Sequence, residues 1–258
     1  VSLDRVQRAA RRQFEQQSSR YGKGHVLADV SDIAQALDGL LLPEGKVLDV
    51  ATGGGHAAVY FAKLGRDVTA SDLAPAMLAR AQSLAAEDGL QIHVAEHPAE
   101  HLPYPDCSFA IVSCRVAAHH FSDPSAFVDE VARVLQPGGL FLLIDGTVPD
   151  GEPEAIAWAH QVETLRDPSH ARLLSPCEWR ALCQHARLEV LRCGNAPFKQ
   201  PDLEWYFETA NTPAANRAKV LELVRTAPDA ARRAFRIGEE DGRIVWWWMR
   251  ILLVAGKT

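Results

Sequence analysis

The run Val47–Ala62, VLDVATGGGHAAVYFA, places a carboxylate, Asp49, just ahead of three consecutive glycines, Gly53 to Gly55. An apolar strand, a loop of bare backbone and a helix let main-chain groups approach a ligand closely. Three chemistries compete for such a loop. A triphosphate-cradling loop ends in Gly-Lys-Ser/Thr, but His56 and Ala57 follow Gly55, so that ligand has no anchor. Gly53-x-Gly55-x-x-Ala58 fits the dinucleotide fingerprint, and Asp72 stands where its ribose-binding acid falls. A pyrophosphate would, however, lie beside Asp49, and like charges ~4 Å apart repel by about 4 kcal/mol at an effective dielectric of about 20. A cationic ligand reverses that sign. A second group, His119, His120 and Asp145, has the residue types of proton transfer, a histidine base oriented by a carboxylate.

The elements that must position these residues alternate. Val47–Val50 and Asp67–Ala70 read as strands around a helix from His56 to Leu64, and a helix from Pro75 to Glu87 follows, with proline in its first turn. LQIHVAE and SFAIVSC read as strands, PSAFVDEVARVLQ as a helix and GLFLLIDG as a strand. Strands alternating with helices predict a parallel sheet covered on both faces. After residue 150 helices dominate: Glu154–Arg166, Cys177–Ala186 and a block from Asp202 to Phe235, with strands at Leu188–Cys193 and in the final RIVWWWMRILLVAG. The expected fold is therefore a single α/β domain, Rossmann-like and doubly wound. Its seven-stranded sheet is mostly parallel with an antiparallel edge strand, and a helical lid is inserted. Residues 1–45 read as an N-terminal helical segment, 46–150 as the core that carries the glycine loop, and 151–258 as the lid and last two strands.

VLDVATGGGHA, VTASDLAPAMLARAQ, AEHLPYPDCSFAIV and AAHHFSDPSAFVDEVARVLQPGGLFLLIDG together resemble the class I S-adenosylmethionine (SAM)-dependent methyltransferases of the UbiE-like type 11 group, over Tyr21 to Gly146. The tail, with VETLRDPSHARLLSPCEW, is similar to YafE-type members. SAM carries a sulfonium and an ammonium but no phosphate, which suits Asp49. The resemblance implies that Asp49, Ala51, Thr52, Gly53 and Gly55 form the methionyl and ribose loop, and that Asp72, Leu73 and Met77 hold the ribose and flank the adenine. Pro98, Ala99 and Glu100 fall on the loop that reads the adenine edge. Pro98 stands where the pattern has an aspartate, leaving backbone groups or His97 for the adenine amino group. Arg115 falls at the methionine end. Tyr21 and His25 lie in residues 1–45, which the resemblance implies are a cap that closes over the cofactor, with 46–150 the cofactor-binding core.

Methyl transfer is an in-line displacement that asks the protein for positioning and, for a weakly acidic nucleophile, a base. His119 and His120 follow the fourth strand and Asp145 ends the fifth, where an α/β sheet opens its ligand crevice. The expectation is His119 as base, Asp145 as its orienting group and His120 as substitute, as in the O-methyltransferases the chain resembles. Against this stand a histidine that only packs or caps a helix and a carboxylate that only bonds the next turn. O-methylation of a small molecule is favoured, with an apolar or aromatic acceptor in a lid rich in Trp158, Trp179, Trp205 and Trp246–Trp248. The alternatives are C-methylation of a quinone-like ring, a nicotinamide oxidoreductase and a SAM-binding protein without turnover.

The 258 residues carry a net charge of −6, which disfavours nucleic acid as acceptor, and no apolar run reaches membrane-spanning length. The five cysteines, at 107, 114, 177, 183 and 193, include no C-x-x-C pair, and no metal site is expected. Their odd number points to a reducing, cytoplasmic setting. The oligomeric state is left open, a homodimer included.

Overall fold

The computed structural model describes residues 2–22 and 24–258. The chain runs α1 (Arg5–Gln17), α2 (Ser31–Leu37), β1 (Val47–Val50), α3 (His56–Lys63), β2 (Val68–Asp72), α4 (Pro75–Glu87), β3 (His93–Glu96), β4 (Phe109–Arg115), α5 (Pro124–Val134) and β5 (Leu135–Gly146). It continues with α6 (Pro153–Arg166), α7 (Pro176–His185), β6 (Leu188–Asn195), β7 (Phe198–Lys199), α8 (Leu203–Thr209), α9 (Ala214–Arg225) and α10 (Asp229–Ala234). The chain ends in β8 (Gly238–Glu240), β9 (Arg243–Val245), β10 (Trp247–Trp248) and β11 (Arg250–Lys257).

Local sequence sets the helix starts. Asp4 with Gln7, and Ser175 with Glu178, form reciprocal caps on α1 and α7, while Asp123 caps α5 ahead of Pro124. The main sheet has the order β3-β2-β1-β4-β5-β11-β6. Strands β1 to β5 pair in parallel, and β11 runs antiparallel to both β5 and β6. The antiparallel strand thus lies one place in from the edge, and β6 is outermost. Each sheet face carries its own apolar layer, one with α5 and α7, the other with α2, α3 and α4. A third cluster fills the lid, where Trp158, Tyr206 and Trp246 pack among α6 and α8–α10.

Two expectations are corrected by the pairing. The second strand is displaced to Val68–Asp72, which brings Ser71 and Asp72 into the sheet opposite Ala95 and Glu96. The final strand is not continuous. Arg243–Val245 pairs with β8, Trp247–Trp248 pairs with β7, and only Arg250–Lys257 joins the main sheet. The tryptophans are drawn into the lid because its apolar interior is their burial site, and strand alternation gives way to it.

The three glycines have separate duties. Gly55 has φ +87°, and a Cβ there would lie 2.7 Å from the Ala81 Cβ and 2.8 Å from its Cα, so α3 and α4 meet through it. A Cβ on Gly54 would lie 2.8 Å from the Tyr21 Cβ, beneath the cap, whereas nothing lies within 4 Å of one on Gly53. Gly55→Ala combines a left-handed backbone with overpacking and is expected to cost roughly 2–4 kcal/mol, read as a lower urea midpoint, whereas Leu64→Ala, at a half-exposed helix end, should change it little.

Candidate active site

The strand order reverses between β1 and β4, and an open cleft lies beyond their carboxyl ends, enclosing about 900 Å³ of space, solvent included. Asp49, in the fully buried strand β1, sits opposite Ser113 of β4 and is 1% exposed. The Ser113 hydroxyl donates to its carboxylate at 2.7 Å and the Thr52 hydroxyl at 2.5 Å. Burial pushes the Asp49 pKa up, against those two bonds. Asp72 ends β2 and accepts the Gly53 and Ala74 N–H groups, both at 2.9 Å. Burial raises its pKa to about 6, with the two backbone bonds pulling the other way. The turn between them holds Ala51 at φ +53°, a left-handed conformation that costs a non-glycine residue about 1–2 kcal/mol.

Tyr21, Ala51, Thr52, Gly53, Leu73, Ala99 and Glu100 also line this cleft. Glu100 accepts from Gln7 and from both the N–H and hydroxyl of Ser122, each at 2.9 Å. Three expected positions do not reach the cleft wall. Gly55 is held against α4, Met77 is wholly buried in the core, and Pro98 presents its carbonyl to His97 at 3.1 Å. Arg115 is on the wall, but its guanidinium is engaged elsewhere. It meets both oxygens of Asp32 at 3.0 to 3.1 Å and donates to the carbonyls of Leu27 and Asp29.

A second cavity, enclosing about 1040 Å³ of open space, lies beneath the lid. It shares Phe14, Tyr21, Leu27, Val116 and His120 with the cleft, so the two adjoin across a single wall. Val116, past β4, has φ +54°, an outlying conformation for a β-branched residue. It turns the chain into the Ala118–His120 turn that brings His119 over β5. The Nδ1 of His119 lies 2.6 Å from Asp145 Oδ1, and its backbone N–H donates to Oδ2 at 2.8 Å. Asp145 is fully buried. Its carboxylate fixes the proton on Nδ1 and leaves the Nε2 lone pair of a neutral His119 free. Burial works against the imidazolium, yet the charge and hydrogen bond of Asp145 outweigh it and raise the His119 pKa above 6.5. His120 differs. Its Nδ1 lies 3.0 Å from the Ser169 carbonyl, and burial with the nearby His119 charge lowers its pKa to about 4.

Sequence reasoning placed the first helices in a cap and α6 in a lid but named none of the side chains that α1, α2 and α6 contribute. Gln7, Arg11 and Phe14 of α1 roof the cleft, and His56 lines it with a buried Nε2 that has no hydrogen-bond partner. Asp32 of α2 receives both Arg115 and Arg250, each at 3.0 Å, and so ties the cap to β4 and β11. On α6, Glu163 and Arg166 form a largely buried pair at 3.0 Å on the wall of the cavity beneath the lid. The amphipathic spacing of α1 and the acidic start of α2 were the available signals, and neither names a partner.

Residues 48–143 match the methyltransferase domain family. The chain is 32% identical over 253 residues to the uncharacterized methyltransferase YcgJ of Bacillus subtilis, covering 94% of this chain and 96% of YcgJ. The chain belongs to the SAM-dependent methyltransferases. The crystal structure of YcgJ superposes on this methyltransferase with a TM-score of 0.79 at 33% identity, covering 88% of this chain and 97% of that one. A Bacillus halodurans chain gives a TM-score of 0.81 at 33% identity, over 88% and 99%. YafE of Escherichia coli is 40% identical over 124 residues, 48% of this chain and 59% of its own. A ubiquinone biosynthesis O-methyltransferase of Xanthomonas oryzae is 33% identical over 154 residues, 58% and 64% of the two chains. The enzyme's cofactor is SAM. Among the described residues no helix is long and apolar enough to cross a membrane.

Removing the Asp145 charge leaves burial as the main influence on His119. Asp145→Asn is expected to bring the His119 pKa from above 6.5 to below it, followed by NMR titration of the imidazole ring, while His120 stays neutral down to about pH 4 in the wild type.

Proposed function

We propose that this methyltransferase methylates a hydroxyl group of a small apolar or aromatic acceptor, with His119 as the general base and Asp145 as the residue that orients it. The single observation that carries the reading is the 2.6 Å contact between His119 and Asp145 in a cavity that adjoins the cofactor cleft. Support for an oxygen nucleophile also comes from the Xanthomonas oryzae relative, whose name is that of an O-methyltransferase.

The residues of the cleft fit SAM. Asp49 and Asp72 are both buried carboxylates with raised pKa values, and such groups are best satisfied by a cation and by hydroxyl donors, respectively. Asp72 would accept the ribose hydroxyls, with Leu73 and Ala99 beside the adenine and Glu100 or His97 at its edge. Asp49, Ala51, Thr52 and Gly53 would border the methionyl part, and Tyr21 would cover it from the cap. The unpartnered Nε2 of His56 is a further polar group for this ligand. Bound SAM supplies a methyl group already activated by its sulfonium. His119 accepts the acceptor's proton on Nε2, and the resulting imidazolium is stabilised by Asp145. The raised His119 pKa makes it a stronger base at the cost of being partly protonated near neutrality. His120, neutral and bonded to Ser169, stands at the wall between the two cavities, and its lowered pKa makes it the weaker base of the two.

Two measurements test this. His119→Ala is expected to lower kcat for S-adenosylhomocysteine formation by about 10²–10⁴-fold across a panel of hydroxylated aromatics, with SAM affinity little changed. A variant that keeps the wild-type rate from acid to alkaline pH overturns the assignment. Calorimetric SAM affinity is expected to fall as pH drops below about 6, where Asp72 takes up a proton and can no longer accept from both hydroxyls. Asp72→Asn should be weak at every pH and lack that dependence.

A further inference from the structure

The acceptor-side cavity contains charges of both signs, and the protein has already engaged them. Glu163 accepts from Arg166 at 3.0 Å, from the Tyr206 hydroxyl at 2.7 Å and from the Trp248 indole at 3.1 Å. Arg166 directs its remaining nitrogens to the Tyr206 carbonyl and the Thr209 hydroxyl, both at 3.0 Å, and lies over the Tyr206 and Trp248 rings. Arg250 donates to Asp32 and to the Ala196 carbonyl. Asp167 accepts the N–H and hydroxyl of Ser169 at 2.8 and 2.6 Å.

The polar atoms left over are of another kind. Among the described residues that line this cavity, the buried side-chain atoms without a hydrogen-bond partner are Gln17 Nε2 and His170 Nε2. One is an amide. The other belongs to an imidazole that burial keeps neutral, with its pKa lowered to about 3. The apolar lining is flat and aromatic, for every tryptophan of the chain except Trp179 borders this space.

A charged acceptor entering here would lose its hydration and find the counter-charges already paired. A neutral ring with hydroxyl or carbonyl groups loses far less, stacks on indole faces and can reach the unpartnered amide and imidazole. Building on the methyltransferase reading above, we infer that the acceptor is an uncharged hydroxylated aromatic compound and that the Glu163–Arg166 pair closes the cavity to carboxylates, phosphates and amines. Glu163 and Arg166 are therefore specificity-determining residues, each cancelling a charge that would otherwise recruit the wrong ligand.

Three bicyclic probes of matched size and different charge test this on the full chain saturated with S-adenosylhomocysteine. The probes are 2-naphthol, 2-naphthoate and 2-naphthylmethylammonium at pH 7. Binding is read by calorimetry and by quenching of tryptophan emission. The naphthol is expected to bind at least ~10-fold more tightly than either ion. Glu163→Gln, which leaves Arg166 uncompensated, should strengthen naphthoate binding by at least ~10-fold relative to naphthol. Equal or tighter binding of either ion to the wild type overturns the inference, and that comparison stands even where the variant does not fold. Failure of the chain to bind SAM would instead defeat the cofactor assignment, and failure of His119→Ala to slow turnover would defeat the base, so the readings fail separately.

Discussion

One carboxylate ties the N-terminal segment to the sheet. Asp32, itself almost wholly buried, receives Arg115 from the end of β4 and Arg250 from the start of β11. Arg115 also takes the carbonyls of Leu27 and Asp29, so a short stretch of the cap is fixed by its backbone as well as by a side chain. Taking these charges out of water is costly, and the arrangement is tolerable only because each partner is hydrogen-bonded in good geometry. What the clamp yields is a wall. Leu27 and Tyr21 border both the cleft and the acceptor-side cavity, and neither would be in place if the cap were loose.

Electrostatics divide the molecule along the sheet. At the ends of β1 and β2 lie two desolvated carboxylates, Asp49 and Asp72, with hydroxyl and backbone donors around them. Two places along the sheet from β1, at the end of β5, Asp145 has a histidine as its close partner. The same side-chain type therefore sits in different company: hydroxyl and backbone donors on one side, an imidazole on the other. Both regions are reached through strained turns, at Ala51 and Val116, each with a left-handed backbone just past a strand. Their placement next to the two cavities accords with strain held where a chain must turn sharply to present a side chain.

Much of this was legible in the sequence, and for a physical reason. From β1 to β5, each strand, turn and helix is specified locally by apolar runs, Pro75, Pro124 and the glycine loop, so motif and structure agree to within a few residues. Asp49, Asp72, His119 and Asp145 follow from position alone, because a parallel sheet directs the residues at its strand ends to one crevice. Gly55 and Met77 lie back from the cleft wall, since a motif records that a residue is needed but not whether a ligand or a neighbouring helix needs it. Arg115 was given to the methionine end, yet its partner lies far back in the chain at Asp32, a pairing with no local trace. The triple tryptophan reads as part of one long final strand because its pattern is apolar throughout, and only packing in the lid divides that strand, with Trp247–Trp248 pairing with β7 instead of the main sheet.

The common partition formed by Phe14, Tyr21, Leu27, Val116 and His120 has a geometric consequence. Three of these five belong to the N-terminal segment, and the roof over one chamber is the sidewall of the other. A side chain changed at any of them alters the shape of both chambers at once.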